Sequence, residues 1–431
     1  MTSLRAAADT AEFVVHDLPA ATNLRQEAPL RASVLMLESE SRLCIVSCDT
    51  LGLMGDTCEE IANAISTACG VPTDQITVVA THTHHAPRAM PVYSSPRDDE
   101  LCRRIVAAAV AAATSASAKL DCPHDSNDPC EAELAFFLGQ EATVGANSRW
   151  VMDDGQISWS QHDEDKMVRP SGPHDPDLPV IALRRPSGEL IGCLFLHSTH
   201  NIGTLAPDPA TVVSPGFFGL AAQELERRHG APFLFLPGAF GSSHRRRSEI
   251  DGAEAFTRVV NAVEDALENL RPVESTPICA TKSAYEFQYR LFDEAKEAAA
   301  VRGWGRRWFT ETGAENLEKT YVAVRASMAD RAGKMFESSL QVLQLGELAI
   351  MAVPGELFAT LALRLRQQSP FRHTFVAGLA NDEIGYIADR KGYRDGGYQT
   401  WFCGHSRLEP GEGERMLDAA LQMLSDAHGA D

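Results

Sequence analysis

The chain has 431 residues, of which 44% are apolar and 23% charged, enough for a large buried core and ordinary for a globular protein. Its 59 acidic against 39 basic residues leave a net charge of −20, which excludes nucleic-acid binding through the general field, because phosphate contacts need clustered Lys and Arg. Ten cysteines form no CxxC pair and lie scattered through strand-like and helix-like runs, so reduced thiols in a cytoplasmic setting are expected.

The first residues carry no apolar signal core, and no run approaches about 18 uninterrupted apolar residues, so no stable membrane association is expected. The first strand signal is the apolar run 43–48, ending at Asp49, and an amphipathic helix pattern follows over 57–69. A second strand, 76–80, runs into Thr81-His82-Thr83-His84-His85-Ala86-Pro87. An amphipathic helix pattern over 99–120 contains an Ala-rich stretch, 105–118, that reads as a buried helix, and 121–129 reads as a surface loop. Asn147-Ser148-Arg149 precedes a second polar stretch, 162–177, which reads as a long loop of the kind that often carries function.

Strands are expected at 180–183 and at 190–196, the latter ending in His197-Ser198-Thr199-His200. A helix pattern at 215–228 leads to a strand at 233–236, which ends in Pro237-Gly238-Ala239-Phe240-Gly241. The short basic run His244-Arg245-Arg246-Arg247 reads as a solvated loop. A helix is expected at 253–270 and a mostly helical lobe over 287–341. Strands at 348–353 and 374–377 lead into Pro354-Gly355-Glu356 and into Gly378-Leu379-Ala380-Asn381, with Tyr386 and Tyr398 beyond, and a helix over 412–426 closes the chain. Alternating strands and helices with no repeat of a solenoid period predict one α/β domain over residues 1–431.

Strand carboxyl ends are where α/β folds bind ligands, and here they carry the polar chemistry. His82 and His84 are two apart, so on an extended backbone they face one side. A same-side His pair with a distant His and a distant carboxylate is a donor set suited to zinc, although a lone His at a strand end is more often a satisfied polar residue. His197 and His200 compete for the distant imidazole, and the sequence leaves that choice open.

These motifs resemble the neutral/alkaline non-lysosomal ceramidases. Thr81-His82-Thr83-His84 with Pro87 is similar to the family's Thr-His-Thr-His-Ser-(Gly/Ala)-Pro motif, and Phe195-Leu196-His197-Ser198-Thr199 to its Phe-Ala-x-His-Pro-Thr motif. Val353-Pro354-Gly355-Glu356 matches its Val-Pro-Gly-Glu motif; Gly378 to Tyr386 resembles a further motif, and Tyr398 falls near a later family tyrosine. The glycine-rich turn 237–241 also resembles the family's, and the order holds over most of the chain. The resemblance implies mixed β-sheets covered by helices, and Zn2+ held by His82, His197, Glu356 and Tyr386. It implies an amide hydrolase acting through metal-activated water, with His84 in proton transfer, Tyr398 at the oxyanion and Arg149 on a substrate carboxylate or carbonyl. The family's C-terminal β-sandwich and its signal peptide have no counterpart here, so a small or polar substrate is expected in place of ceramide. A metal-dependent esterase or lactonase and a non-catalytic binding protein are the alternative readings.

Overall fold

The computed structural model describes residues 4–93, 95–121, 130–159, 164–246 and 250–429. Its frame is three β-sheets of one design. The first holds β1 (Arg5–Phe13), β2 (Leu30–Glu38), β3 (Arg42–Cys48) and β4 (Ile76–Ala80) in that spatial order. β1, β2 and β3 are successively antiparallel, and β3 pairs parallel with β4. The crossover between β3 and β4 contains helix α1 (Gly55–Cys69), and helix α2 (Asp99–Leu120) follows.

The second sheet repeats this order. β5 (Glu133–Gln140), β6 (Asp177–Arg184) and β7 (Leu190–His197) are antiparallel neighbours, and β7 lies parallel to β8 (Phe233–Pro237). Arg271–Pro272 adds a short edge to β5. Helix α3 (Gly216–His229) makes the crossover and α4 (Gly252–Glu268) follows. In the third sheet β9 (Ile278–Gln288), β10 (Met335–Leu345) and β11 (Leu348–Ala352) are antiparallel, and β11 is parallel to β12 (His373–Ala377). Helix α7 (Ala359–Gln368) makes this crossover, after helices α5 (Glu294–Trp308) and α6 (Glu311–Met328), and α9 (Glu412–Gly429) closes the unit beyond the short α8 (Arg390–Asp395).

Strand alternation divides each sheet into two apolar faces. The inner faces meet in one core that joins Leu35, Leu37 and Ile45 of the first sheet, Ile181, Leu194 and Leu236 of the second, and Leu343, Ile350 and Phe375 of the third. The outer faces carry the helices: Val34, Met36 and Val46 pack under α1 and α2, Phe195 and Phe235 under α3 and α4, and Leu340 and Val342 under α7 and α9. α2 is long and apolar enough to cross a membrane, but half of that stretch is buried, in the core beneath it.

This topology places the site. The first and third strands of each unit run the same way, since both are antiparallel to the second. The carboxyl ends of the first, third and fourth strands therefore share one rim. The segments joining first to second strands, 14–29, 141–176 and 289–334, all leave from that rim. The three units are tied by hydrogen bonds to backbone carbonyls: Gly378 N–H to Pro237 O at 2.8 Å, Asn381 N–H to Val78 O at 2.7 Å, and the Ser47 hydroxyl to Phe235 O at 2.8 Å.

Two expectations gain detail from the strands observed. The stretch 287–341 is a helical hairpin, α5–α6, set between two long paired strands that run into it from either end, because β9 and β10 pair from Ile278–Leu345 to Gln288–Met335. Residues 164–177 are not all loop, since Met167–Pro170 forms a strand antiparallel to Arg149–Met152. Residues 162–163, and 122–129 of the other expected loop, lie outside the described residues.

Candidate metal centre

The chain leaves β4 in a turn rather than an extended strand. Thr81 N–H bonds Cys48 O at 2.9 Å, the Thr83 hydroxyl bonds Ser214 O at 2.7 Å, and His82 between them is left-handed with φ 61°. That conformation costs a β-carbon residue about 1–2 kcal/mol, and it is held by bonds on both sides. The two histidines thus converge through a strained turn and not through the strand alternation expected from their spacing. His82 Nδ1 lies 2.7 Å from Leu51 O, and His82 Nε2 lies 3.1 Å from Nε2 of the exposed His84.

The second unit contributes His200, three residues past the end of β7. Its Nδ1 sits 2.7 Å from Ser243 O, and its ring stacks on His244 with centroids 3.8 Å apart. The third unit contributes Glu356 and Tyr386, paired across the two-residue parallel strands Glu356–Leu357 and Tyr386–Ile387. Glu356 Oε2 lies 3.1 Å from His200 Nε2 and 3.8 Å from His82 Nε2, and the Tyr386 hydroxyl lies 3.4 Å from His200 Nε2. Phe240 closes the apolar side, its ring 4.7 Å from that of His82 and 4.8 Å from that of His200.

The hydrogen bonds fix the tautomers. Both His82 and His200 give an Nδ1 proton to a backbone carbonyl, so each presents a bare Nε2 lone pair inward. Those lone pairs face Glu356 Oε2, a buried atom to which neither imidazole donates a hydrogen bond. Burial disfavours charge throughout: it pushes the His82 pKa down to about 4, and it raises the Glu356 carboxyl despite the neighbouring His82 and the Tyr386 hydroxyl. Tyr386 is likewise raised by burial, with Glu356 adding to it. Lone pairs crowding a desolvated carboxylate repel one another unless a cation lies among them. The donor atoms of His82, His84 and His200 all fall within 4.8 Å of one another, a group that can hold a metal ion.

The structure keeps His197 out of this group, correcting the expectation that placed it there. Its position on β7 has the parity of Phe195 and Cys193, so its ring turns to the helix-covered face. There its Nε2 bonds Glu141 O at 2.9 Å, and its ring neighbours are His174 and Phe218. Arg149 is also not a substrate-facing group. It is 1% exposed, with Nη1 donating to Gln399 Oε1 at 2.9 Å, Nη2 to the Gly392 and Gly396 carbonyls, and Phe358 under its guanidinium. Burial pulls its pKa down to about 10. It clamps the α8 turn behind Tyr386.

Tyr398 stands beside the group, its ring 6.1 Å from that of Tyr386 and stacked between Trp159 and His405. Its hydroxyl lies 3.3 Å from that of Tyr93, which also reaches Tyr321 of α6. A cleft of about 700 Å³ opens beside His84, walled by Pro19, Leu24, Pro87, Arg88 and Val213. Phe240 and His244 were not singled out in sequence as flanking the histidines; the only signal was their place just past a strand end.

No protein-family model matches the chain, and no curated protein matches it in sequence. The fold is nevertheless that of neutral ceramidase. The crystal structure of neutral ceramidase from Pseudomonas aeruginosa superposes with a TM-score of 0.71 at 14% identity, covering 98% of this chain and 74% of that one. A structure of ceramidase complexed with C2 gives 0.73 at 14% identity over 100% of this chain and 76% of its own. The expected ceramidase-like arrangement of mixed sheets covered by helices is the one observed.

Proposed function

We propose that the chain is a zinc-dependent hydrolase cleaving a carbon–nitrogen (amide) bond, on a small or polar substrate rather than ceramide. The observation that carries this reading is the approach of His82 Nε2 and His200 Nε2 to one Glu356 oxygen, at 3.8 and 3.1 Å, each imidazole oriented by a carbonyl behind it. Neutral imidazoles with a carboxylate and a phenol are a donor set that zinc accepts. A bound zinc ion supplies Lewis acidity, which polarises a carbonyl and makes water a nucleophile near neutral pH.

The chain's own residues supply the rest. His82, His200, Glu356 and Tyr386 hold the ion, and His84 is the neighbouring exposed base. Its Nε2 takes a proton and returns it to the leaving nitrogen, because an imidazole exchanges protons near neutral pH. Tyr398 offers its hydroxyl to the developing oxyanion. Phe240 keeps water off the rear of the group.

The test is zinc content of the purified chain, followed by turnover of a panel of small amides and matched esters. The reading expects stoichiometric zinc, faster turnover of amides than of the esters relative to their uncatalysed rates, and loss of both zinc and activity in His82→Ala and Glu356→Ala. A chain that neither contains nor takes up zinc contradicts it.

A further inference from the structure

Glu383 lies in the turn between β12 and the Tyr386–Ile387 strand and is 3% exposed. Its Oε1 accepts the Gly385 N–H at 2.7 Å. The same Gly385, left-handed at φ 87°, accepts the Glu356 N–H on its carbonyl at 3.0 Å. The Glu383 carboxyl group therefore holds the residue whose carbonyl fixes Glu356 beside Tyr386.

The stem of Glu383 reaches the other half of the centre. A methyl group on Gly52 would lie 3.3 Å from Glu383 Cγ and 3.6 Å from its Cβ. Gly52 follows Leu51, whose carbonyl orients His82. One side chain thus lies beside the loop that aims His82 and bonds the turn that sets Glu356 against Tyr386. Its remaining oxygen, Oε2, is buried and accepts no hydrogen bond from any described residue. Leaving a buried acceptor unsatisfied costs about 1–3 kcal/mol, a cost set against the one bond that Oε1 takes from Gly385 N–H.

We propose that Glu383 is a positioning residue of the metal centre: through Gly385 and Gly52 it sets the spacing between His82 and the Glu356–Tyr386 pair. The proposal rests on the metal-binding reading above. Groups that orient metal ligands without touching the ion typically change affinity by about 10–100-fold when removed.

The experiment measures zinc dissociation constants of the full chain by chelator competition, together with thermal midpoints. Glu383→Gln keeps an acceptor for Gly385 N–H and should bind zinc within about threefold of the parent. Glu383→Leu keeps the packing over Gly52 but removes the acceptor, and should weaken zinc binding by about 10-fold or more. Glu383→Ala should weaken it at least as much; if that variant fails to fold, Glu383→Leu decides. Wild-type zinc affinity in Glu383→Leu, with only a changed midpoint, overturns the proposal, as does a Gln variant as weak as the Leu one. A parent chain that binds no zinc would instead remove the metal reading, and this proposal with it.

Discussion

Asp49 sits at the carboxyl end of β3 behind the His82 turn, buried, with Oδ1 taking the Thr81 hydroxyl at 3.2 Å and Oδ2 the Arg31 N–H at 3.0 Å. Desolvation raises its pKa from 3.8 to about 7, the two hydrogen bonds and Arg31 opposing only in part. The folded state therefore holds a proton that the unfolded chain releases near its ordinary pKa. The stability this contributes is complete below about pH 4 and is lost as pH rises to about 7, at up to about 1.4 kcal/mol per unit. Asp49→Asn keeps an acceptor for Arg31 and presents a donor to Thr81, mimicking the protonated acid. Urea unfolding at several pH values should show the variant gaining on the parent by a few kcal/mol between pH 4 and 7 and holding level above; a difference independent of pH would refute the assignment. The histidine pair on the second unit separates by the same kind of measurement. His200→Ala should lose zinc binding by at least about 100-fold as an oriented ligand goes. His197→Ala should keep zinc affinity but lose about 1–3 kcal/mol, because Glu141 O is left unpaired in a buried place. The residue types at the centre were legible in the sequence, but the choice between these two imidazoles was not. That choice depends on which face of β7 position 197 takes and on how residues 198–200 leave the strand.

At the scale of elements, the turns that bear the candidate ligands are positioned by close backbone approach. The turn after β8 crosses the Glu356 strand so tightly that a β-carbon on Gly241 would lie 2.1 Å from Glu356 O, and Gly241 N–H bonds Leu357 O at 2.9 Å. Gly241→Ala forces that strand away. It should weaken zinc binding and destabilise by about 1–3 kcal/mol, the usual effect of overpacking; calorimetry with zinc titration reads both, and an unchanged affinity would show that the turn does not set Glu356. The buried strands β3, β4, β7, β8, β11 and β12 were legible because both faces are covered and their runs are continuously apolar. β1 was not legible: Arg5–Phe13 is rich in Ala and polar residues, and it is a strand because it pairs in register with β2 along its whole length. The α5–α6 hairpin was read correctly as helical, but its limits were set too wide, since the flanking strands are half-exposed and mixed in pattern.

For the whole molecule, the organising fact is the threefold repeat of one topology, with three antiparallel strands, a helical crossover and a parallel fourth strand in each unit. No sequence period announces it, because the shared requirement is only apolar alternation and the connecting segments differ in length and content. Its consequence is that the candidate ligands come from all three units: His82 from the first, His200 from the second, and Glu356 and Tyr386 from the third. A cation bound there would tie the units together. Zinc should therefore raise the midpoint of one cooperative transition, by an amount equivalent to about 2.7 kcal/mol at a hundredfold excess over its dissociation constant. A chelator should reverse the shift, and no shift at saturating zinc would contradict the linkage. The most direct test of the account is a crystal of the zinc-loaded chain examined by anomalous scattering at the zinc edge. The account predicts one strong peak within bonding distance, about 2.0–2.2 Å, of His82 Nε2, His200 Nε2 and a Glu356 oxygen, with His197 remote from it. A peak at His197, or none among these three side chains, would contradict it.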